Sequence, residues 1–276
     1  MTFLKHAITQ WGITAKLTAL FVLFGLLPMA VVGLIAYNAS RTIEGSVGTR
    51  FQSVAEGVAD KIDRNLFERY GDVQAFGFNR VLDQKAAWYR AGLDGNPITQ
   101  VIDQYVDTYD LYSLSILVDL DGRVIAVNSK DANGKSIHTQ DLYGKNYQET
   151  SWFRALKAEQ FTTTMPFSAS ENMAATGTYI EDLHVDPDVK AAYPGDDGLT
   201  LGFSAPVYRD GKVVAYWSNR AKFSLVEDIL RTTQQMMKSA GYLNSSVILL
   251  DRDGKILVNY DPADAGTDQI LSLIHI

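Results

Sequence analysis

Between Leu17 and Tyr37 the chain runs for 21 residues without a charge. In a bilayer such a run has to be a helix, because only a helix satisfies every backbone polar group within one segment. At 1.5 Å per residue it is about 30 Å long, the thickness of a hydrocarbon core. Pro28 lies in its middle, where a membrane-spanning helix tolerates proline better than a soluble one does. A buried core helix is rarely this long and uniform, and a secretory leader has an apolar region of only about 7–15 residues. Lys5 and Lys16 flank the N-terminal side, whereas Arg41 on the far side stands near Glu44. This bias predicts a cytoplasmic stub over 1–16, a transmembrane helix over 17–37, and the rest of the chain outside the cytoplasm.

The remaining residues suffice for one large or two modest domains. An apolar fraction of 46% and a charged fraction of 21% are those of a folded chain. The net charge of -7 and the lack of a basic run argue against a nucleic-acid partner. No cysteine is present, which excludes disulfide scaffolds, thiolate metal sites and cysteine nucleophiles.

After the apolar run, Phe51, Val54, Val58, Ile62, Leu66, Tyr70, Val73 and Phe76 recur at spacings of three and four. That is one apolar stripe of a helix from Ser40 to about Gln84. The stripe suits either domain core or a contact with a second copy. With its connector, this stalk is assigned to 38–96. Asn96-Pro97 opens a second helix, and a strand follows from Leu114.

Val118-Asp119-Leu120-Asp121-Gly122-Arg123-Val124-Ile125 returns later as Leu250-Asp251-Arg252-Asp253-Gly254-Lys255-Ile256-Leu257. Each copy reads as strand, tight turn and antiparallel strand. Short strands are expected over Phe161–Phe167 and Thr178–Leu183, and a long loop from Val185 to Gly198. A further hairpin is expected to turn at Arg209-Asp210-Gly211, and a helix to run from Ser224 to about Ala240. Helices packed on antiparallel hairpins define an α+β fold. The pattern predicts two lobes, over 97–220 and 244–270, joined by a linking helix at 221–243. The second repeat copy is followed by too few residues for a full sheet, so this lobe is expected to be truncated. The tail at 271–276 is expected to be foreign to the native reading frame.

Several constellations are dismissed. In a strand, Asp182, His184 and Asp186 share a face, but a polar strand end explains them as well as a metal does. A calcium loop needs a glutamate where Lys130 and Pro262 stand, twelfth from Asp119 and Asp251. No nucleotide-binding or hydrolase fingerprint occurs. No catalytic residue, cofactor or metal site is predicted.

A stub, a transmembrane helix, a stalk and two repeated lobes resemble the double Cache ectodomains of bacterial transmembrane receptors, most of all those of methyl-accepting chemotaxis proteins. The resemblance rests on both Asp-x-Asp-Gly hairpins, on Gly144-Lys145-Asn146-Tyr147 followed by Ser151-Trp152-Phe153-Arg154-Ala155, and on Ser204-Ala205-Pro206-Val207-Tyr208 followed by Asp210-Gly211-Lys212-Val213-Val214. It implies two PAS-like antiparallel-sheet lobes, a small-molecule ligand in the first, membrane-distal lobe, and a homodimer in the inner membrane of a bacterium. The second, membrane-proximal lobe would relay the signal.

The resemblance also implies a site. Amino-acid-binding members carry Arg-x-Trp-Tyr, a Tyr-x-Asp and a final strand Asp. Here Trp152-Phe153 and Tyr179-Ile180-Glu181 match in part, while Thr150 stands for the carboxylate-binding Arg and Arg220 for the amine-binding Asp. Losing that guanidinium removes a bidentate carboxylate grip. The expected ligand residues are Tyr147, Trp152, Phe153 and Tyr179 as aromatic walls, and Glu181, Asp182, Asn219 and Arg220 as polar contacts. A buried Arg220 needs a carboxylate, supplied by Glu181 or by the ligand, most simply an organic acid. The expected function is extracytoplasmic sensing with chemotactic output. The alternatives are a sensor for a histidine kinase or a cyclic-di-nucleotide enzyme, a ligand-free adhesion module, or a membrane-tethered hydrolase using Glu181, Asp182 and His184.

Overall fold

A computed structural model describes residues 12–91, 95–164 and 177–260. The expected strand residues 165–167, the tail 271–276 and most of the stub lie outside them. The apolar run and the stalk form one helix, α1 (Ile13–Phe76), about 96 Å long. It contains Pro28 without interruption and is long and apolar enough to cross a membrane. The stalk stripe is graded. Phe51 is exposed, Val58, Ile62 and Leu66 are half-buried, and Tyr70, Val73 and Phe76 are buried, so its C-terminal half is domain core.

The helix ends eight residues before the predicted Gln84. Its last turn tightens, with Gly77 N–H donating to Gln74 O and Phe78 N–H to Ala75 O. Arg209 covers this end, donating to Gly77 O (2.8 Å) and Asn79 O (2.7 Å) and pairing with Asp83 (2.6 Å). A cation on the carbonyls just past a helix C-terminus satisfies them and suits the dipole. Asn96 then caps α2 (Pro97–Tyr109) through the Ile98 and Thr99 N–H groups.

The first lobe is a five-stranded antiparallel sheet of β1 (Tyr112–Val118), β2 (Val124–Val127), β3 (Tyr179–Val185), β4 (Leu199–Arg209) and β5 (Lys212–Lys222), in the order β2-β1-β5-β4-β3. Alternation along the strands divides two cores. Leu117, Phe203, Ala205, Val207, Trp217 and Ala221 face α1 and α2. There Phe76 stacks on Tyr105 at 4.1 Å and meets Trp217 edge-on at 5.8 Å. Each large side chain buried here stabilises the lobe by about 1.5–3 kcal/mol. Leu114, Ile116, Val118 and Tyr216 face the opposite way, against α3 (Ser151–Lys157).

The two repeat copies build the same turn. Asp119 Oδ1 accepts from the Asp121 and Arg123 N–H groups, both at 2.9 Å, and Asp251 Oδ1 accepts from those of Asp253 (2.9 Å) and Lys255 (2.8 Å). In the predicted loop, Asp131-Ala132-Asn133-Gly134-Lys135 makes a third, with Asp131 Oδ1 bonded to Asn133 N–H and Lys135 N–H. The β4–β5 hairpin turns at Asp210 (φ 50) and Gly211 (φ 75), the two left-handed residues of a type I′ turn.

The expected loop from Val185 to Gly198 contains a helix, α4 (Pro187–Ala192), capped by Asp186. An N-cap Asp followed by Pro at the first helical position is a start signal. In place of a strand, residues 161–164 show only a bridge from Thr163 to Thr178. Beyond β5, α5 (Ser224–Ser239) leads to the hairpin of β6 (Val247–Leu250) and β7 (Ile256–Tyr260).

The turns are alike in hydrogen bonding but unlike in surroundings. A Cβ at Gly122 (φ +78) would lie 2.5 Å from Gln148 N, whereas one at Gly254 (φ +81) meets nothing within 4 Å. Gly254→Ala should cost the left-handed penalty alone, about 1–2 kcal/mol. Gly122→Ala should cost at least twice as much, read from denaturant midpoints by tryptophan fluorescence.

Candidate functional site

Gly202 and Ser204 on β4 pair with Arg220 and Ser218 on β5. These four positions lie on the α3 side of the sheet and make a polar floor in an otherwise apolar face. Arg220 is buried. Its Nε donates to Asp186 Oδ2 at 2.6 Å, its Nη1 donates to Ser218 Oγ, and Nη1 lies 3.6 Å from Glu181 Oε2. Burial alone would lower the Arg220 pKa, but Asp186 and Glu181 outweigh it, and the group is held protonated.

Asp186 performs two tasks. Oδ1 caps α4 through Asp188 N–H (2.7 Å) and Val189 N–H (3.1 Å), and Oδ2 takes Arg220. Burial pushes its carboxyl up, yet His184, with Nε2 at 3.8 Å, and Arg220 hold it well below the usual carboxylate range. The expectation that Glu181 or a ligand supplies the partner of Arg220 is therefore corrected. Asp186 is the close partner and Glu181 the looser one.

The register of β3 explains this arrangement. Glu181 pairs with Gly202 and His184 with Thr200, so three steps on β3 match two on β4. The bulge turns His184 to the Glu181 side, as an inserted residue does, where its Nδ1 lies 2.8 Å from the Asp182 carbonyl oxygen while the Asp182 side chain points away. The Asp182 side chain is 91% exposed and lies 3.9 Å from Arg252. Asp182 is thus away from the site, and the expected single face of Asp182, His184 and Asp186 is broken. The hydrolase grouping of Glu181, Asp182 and His184 is broken with it.

Asn219 is also displaced, for the reason that neighbours on a strand face opposite ways. It is fully buried on the α1 side, where Oδ1 accepts from Ser115 Oγ (2.7 Å) and Trp217 Nε1 (3.0 Å). The aromatics fall on the expected side. Tyr147 and Trp152 lie 5.7 Å apart, and Trp152 stands 5.7 Å from the Arg220 guanidinium. Phe153 is enclosed between Trp152 and Tyr216 as core, and Tyr179 packs half-buried against the same cluster. Tyr147 donates to Asp188 Oδ2 at 2.6 Å, and Lys145 pairs with the other Asp188 oxygen. Burial first, then Asp188, pushes the Tyr147 hydroxyl pKa far up.

Two polar atoms in this cluster are buried without a hydrogen-bond partner, Trp152 Nε1 and Glu181 Oε2. The other Glu181 oxygen accepts from Ser151 Oγ at 2.7 Å. Gly202 makes room for this carboxylate, since a Cβ there would lie 2.5 Å from Glu181 Oε2. Sequence reasoning left Asp188, Ser151 and Gly202 out of the site and weighed Asp186 only in the dismissed metal grouping. The Asp186-Pro187 cap signal would have found Asp186.

Neither a protein-family model nor a curated protein matches the chain. Solved structures do. The ligand-binding domain of the Campylobacter jejuni chemoreceptor Tlp3 in complex with 4-methylisoleucine is 10% identical with a TM-score of 0.50, covering 79% of this chain and 71% of that one. The ligand-binding domain of the Pseudomonas fluorescens chemoreceptor CtaA in complex with L-alanine is 17% identical, with a TM-score of 0.47 over 82% and 75%. The sensor domain of the V. cholerae histidine kinase DctB is 11% identical, with a TM-score of 0.45 over 78% and 67%. At these identities the likeness is one of fold. The fold is α+β and Cache-like.

The Asp186 contact raises the His184 pKa above 6.5, against the opposing effect of burial. Raised in the folded state, this group contributes stability that is present below pH 6.5 and lost as pH rises through the folded value. Asp186, depressed, contributes stability that is present above about pH 4 and lost on acidification. In Asp186→Asn the His184 pKa should fall back toward 6.5, followed by NMR of the imidazole protons.

Proposed function

We propose that residues 38–270 form the extracytoplasmic sensory region of a bacterial inner-membrane receptor, with 1–16 in the cytoplasm and 17–37 across the membrane. In this reading 97–220 is the membrane-distal ligand-binding lobe, 221–243 the linking helix and 244–270 the start of the membrane-proximal lobe. The fold likeness to the Tlp3 domain and the apolar first part of α1 support the assignment. The output is chemotactic, and the receptor is a homodimer whose stalks meet through side chains such as the 56%-exposed Phe67. Binding acts by favouring one of two receptor states. The chain performs no catalysis.

The observation that carries the reading is a pair of buried atoms without a hydrogen bond beside Arg220, Trp152 Nε1 and Glu181 Oε2, the latter held only by the 3.6 Å ion pair with Arg220. Buried polar groups are nearly always hydrogen-bonded, and these two ask for one acceptor and one donor on a ligand. A plain organic acid gripped by Arg220 fits less well than expected, because Asp186 already neutralises the guanidinium at 2.6 Å. Lys145 pairs with Asp188, and Arg220 and His184 with Asp186, which leaves Glu181 as the carboxylate with the loosest cation partner. A small molecule bearing a protonated amine for Glu181 and an acceptor for Trp152 suits the site.

A thermal-shift comparison on the detergent-solubilised chain tests this. Small amino compounds, L-alanine among them, should raise Tm where the matched acid, propionate, does not. Saturation at about 100 times Kd stabilises by about 2.7 kcal/mol. Glu181→Gln should abolish the shift. Stabilisation by propionate that survives Glu181→Gln would contradict the amine reading.

A further inference from the structure

Asp182 was expected in the first-lobe site and lies instead at a cleft on the other side of β3. A cleft of about 300 Å³ is bounded there by α1, β3, β4, the start of α5 and the β6–β7 hairpin. Ile62 and Leu66 of the stalk, Leu183 of β3 and Phe223 make its apolar walls, and Leu249 and Leu257 close it from the hairpin. Most of these side chains are only half-buried, so apolar surface remains open to water. The rim has a different character. Asp182, Asp251 and Asp253 stand there against a single cation, Arg252.

An apolar cleft of this size matches the lower range of small-molecule sites. Three carboxylates against one guanidinium give the mouth a negative field that attracts cations and repels anions. Arg252 is tied loosely to Asp182 at 3.9 Å across the opening, with both side chains largely exposed, so that pair is weak and readily exchanged. Asp251 is committed to its turn through two backbone N–H groups, which leaves Asp182 and Asp253 as the rim groups to meet a ligand.

We propose that this cleft binds a small apolar cation, an aryl- or alkylamine, with its hydrocarbon body between the stalk and the hairpin and its ammonium at Asp182 and Asp253. The site is separate from that of Arg220 and does not rest on it. Glu181 and Asp182 are adjacent in β3 and serve opposite faces.

Calorimetric titration of the detergent-solubilised full chain with phenethylamine, 2-phenylethanol and phenylacetate tests the proposal. The three share a body and differ in charge. Phenethylamine should bind best and phenylacetate worst. The double variant Asp182→Asn/Asp253→Asn, at exposed positions, should weaken phenethylamine binding by about fivefold or more. Equal binding of all three compounds, no binding of phenethylamine, or full-strength phenethylamine binding in the double variant would each overturn it.

Discussion

The buried pair of Arg220 and Asp186 is the interaction on which the first lobe depends. A lone guanidinium in this core would be costly, and Asp186 removes that cost at 2.6 Å while capping α4. One carboxylate therefore joins the middle of the sheet to the segment after β3. It fixes where α4 begins, and so places Asp188 against Tyr147 and Lys145. Removing one partner of such a buried pair costs about 3–5 kcal/mol.

The same pair decides what the site can recognise. With Arg220 engaged by Asp186, the buried atoms left without a hydrogen bond are Glu181 Oε2 and Trp152 Nε1. The bulge in β3 is the second determinant. It brings His184 beside Asp186 and leaves Asp182 on the other face, so that one short strand borders the Arg220 cluster on one side and the apolar cleft on the other.

Much of the architecture was legible in the sequence, because local rules governed it. The charge-free run, the stalk stripe, the Asp-x-Asp-Gly turns and the Asp210-Gly211 hairpin each carry their own geometry. The site was less legible. Asn219 and Arg220 are neighbours in the sequence and face opposite cores, which strand alternation alone would have foretold. Asp182 was misplaced because a bulge leaves no mark that alternation can detect. Asp186 was readable as a helix cap, but its pairing with Arg220 joins residues distant in sequence, and only the folded sheet brings them together.

A double-mutant cycle on Arg220→Met and Asp186→Asn, followed by denaturant unfolding, tests the central interaction most directly. Asn retains the capping oxygen of Asp186, so the cycle isolates the ion pair. Each single change should destabilise strongly, and the double change should cost less than their sum by about 2 kcal/mol or more. Additivity within about 0.5 kcal/mol would contradict the account, because Arg220 would then owe nothing to Asp186.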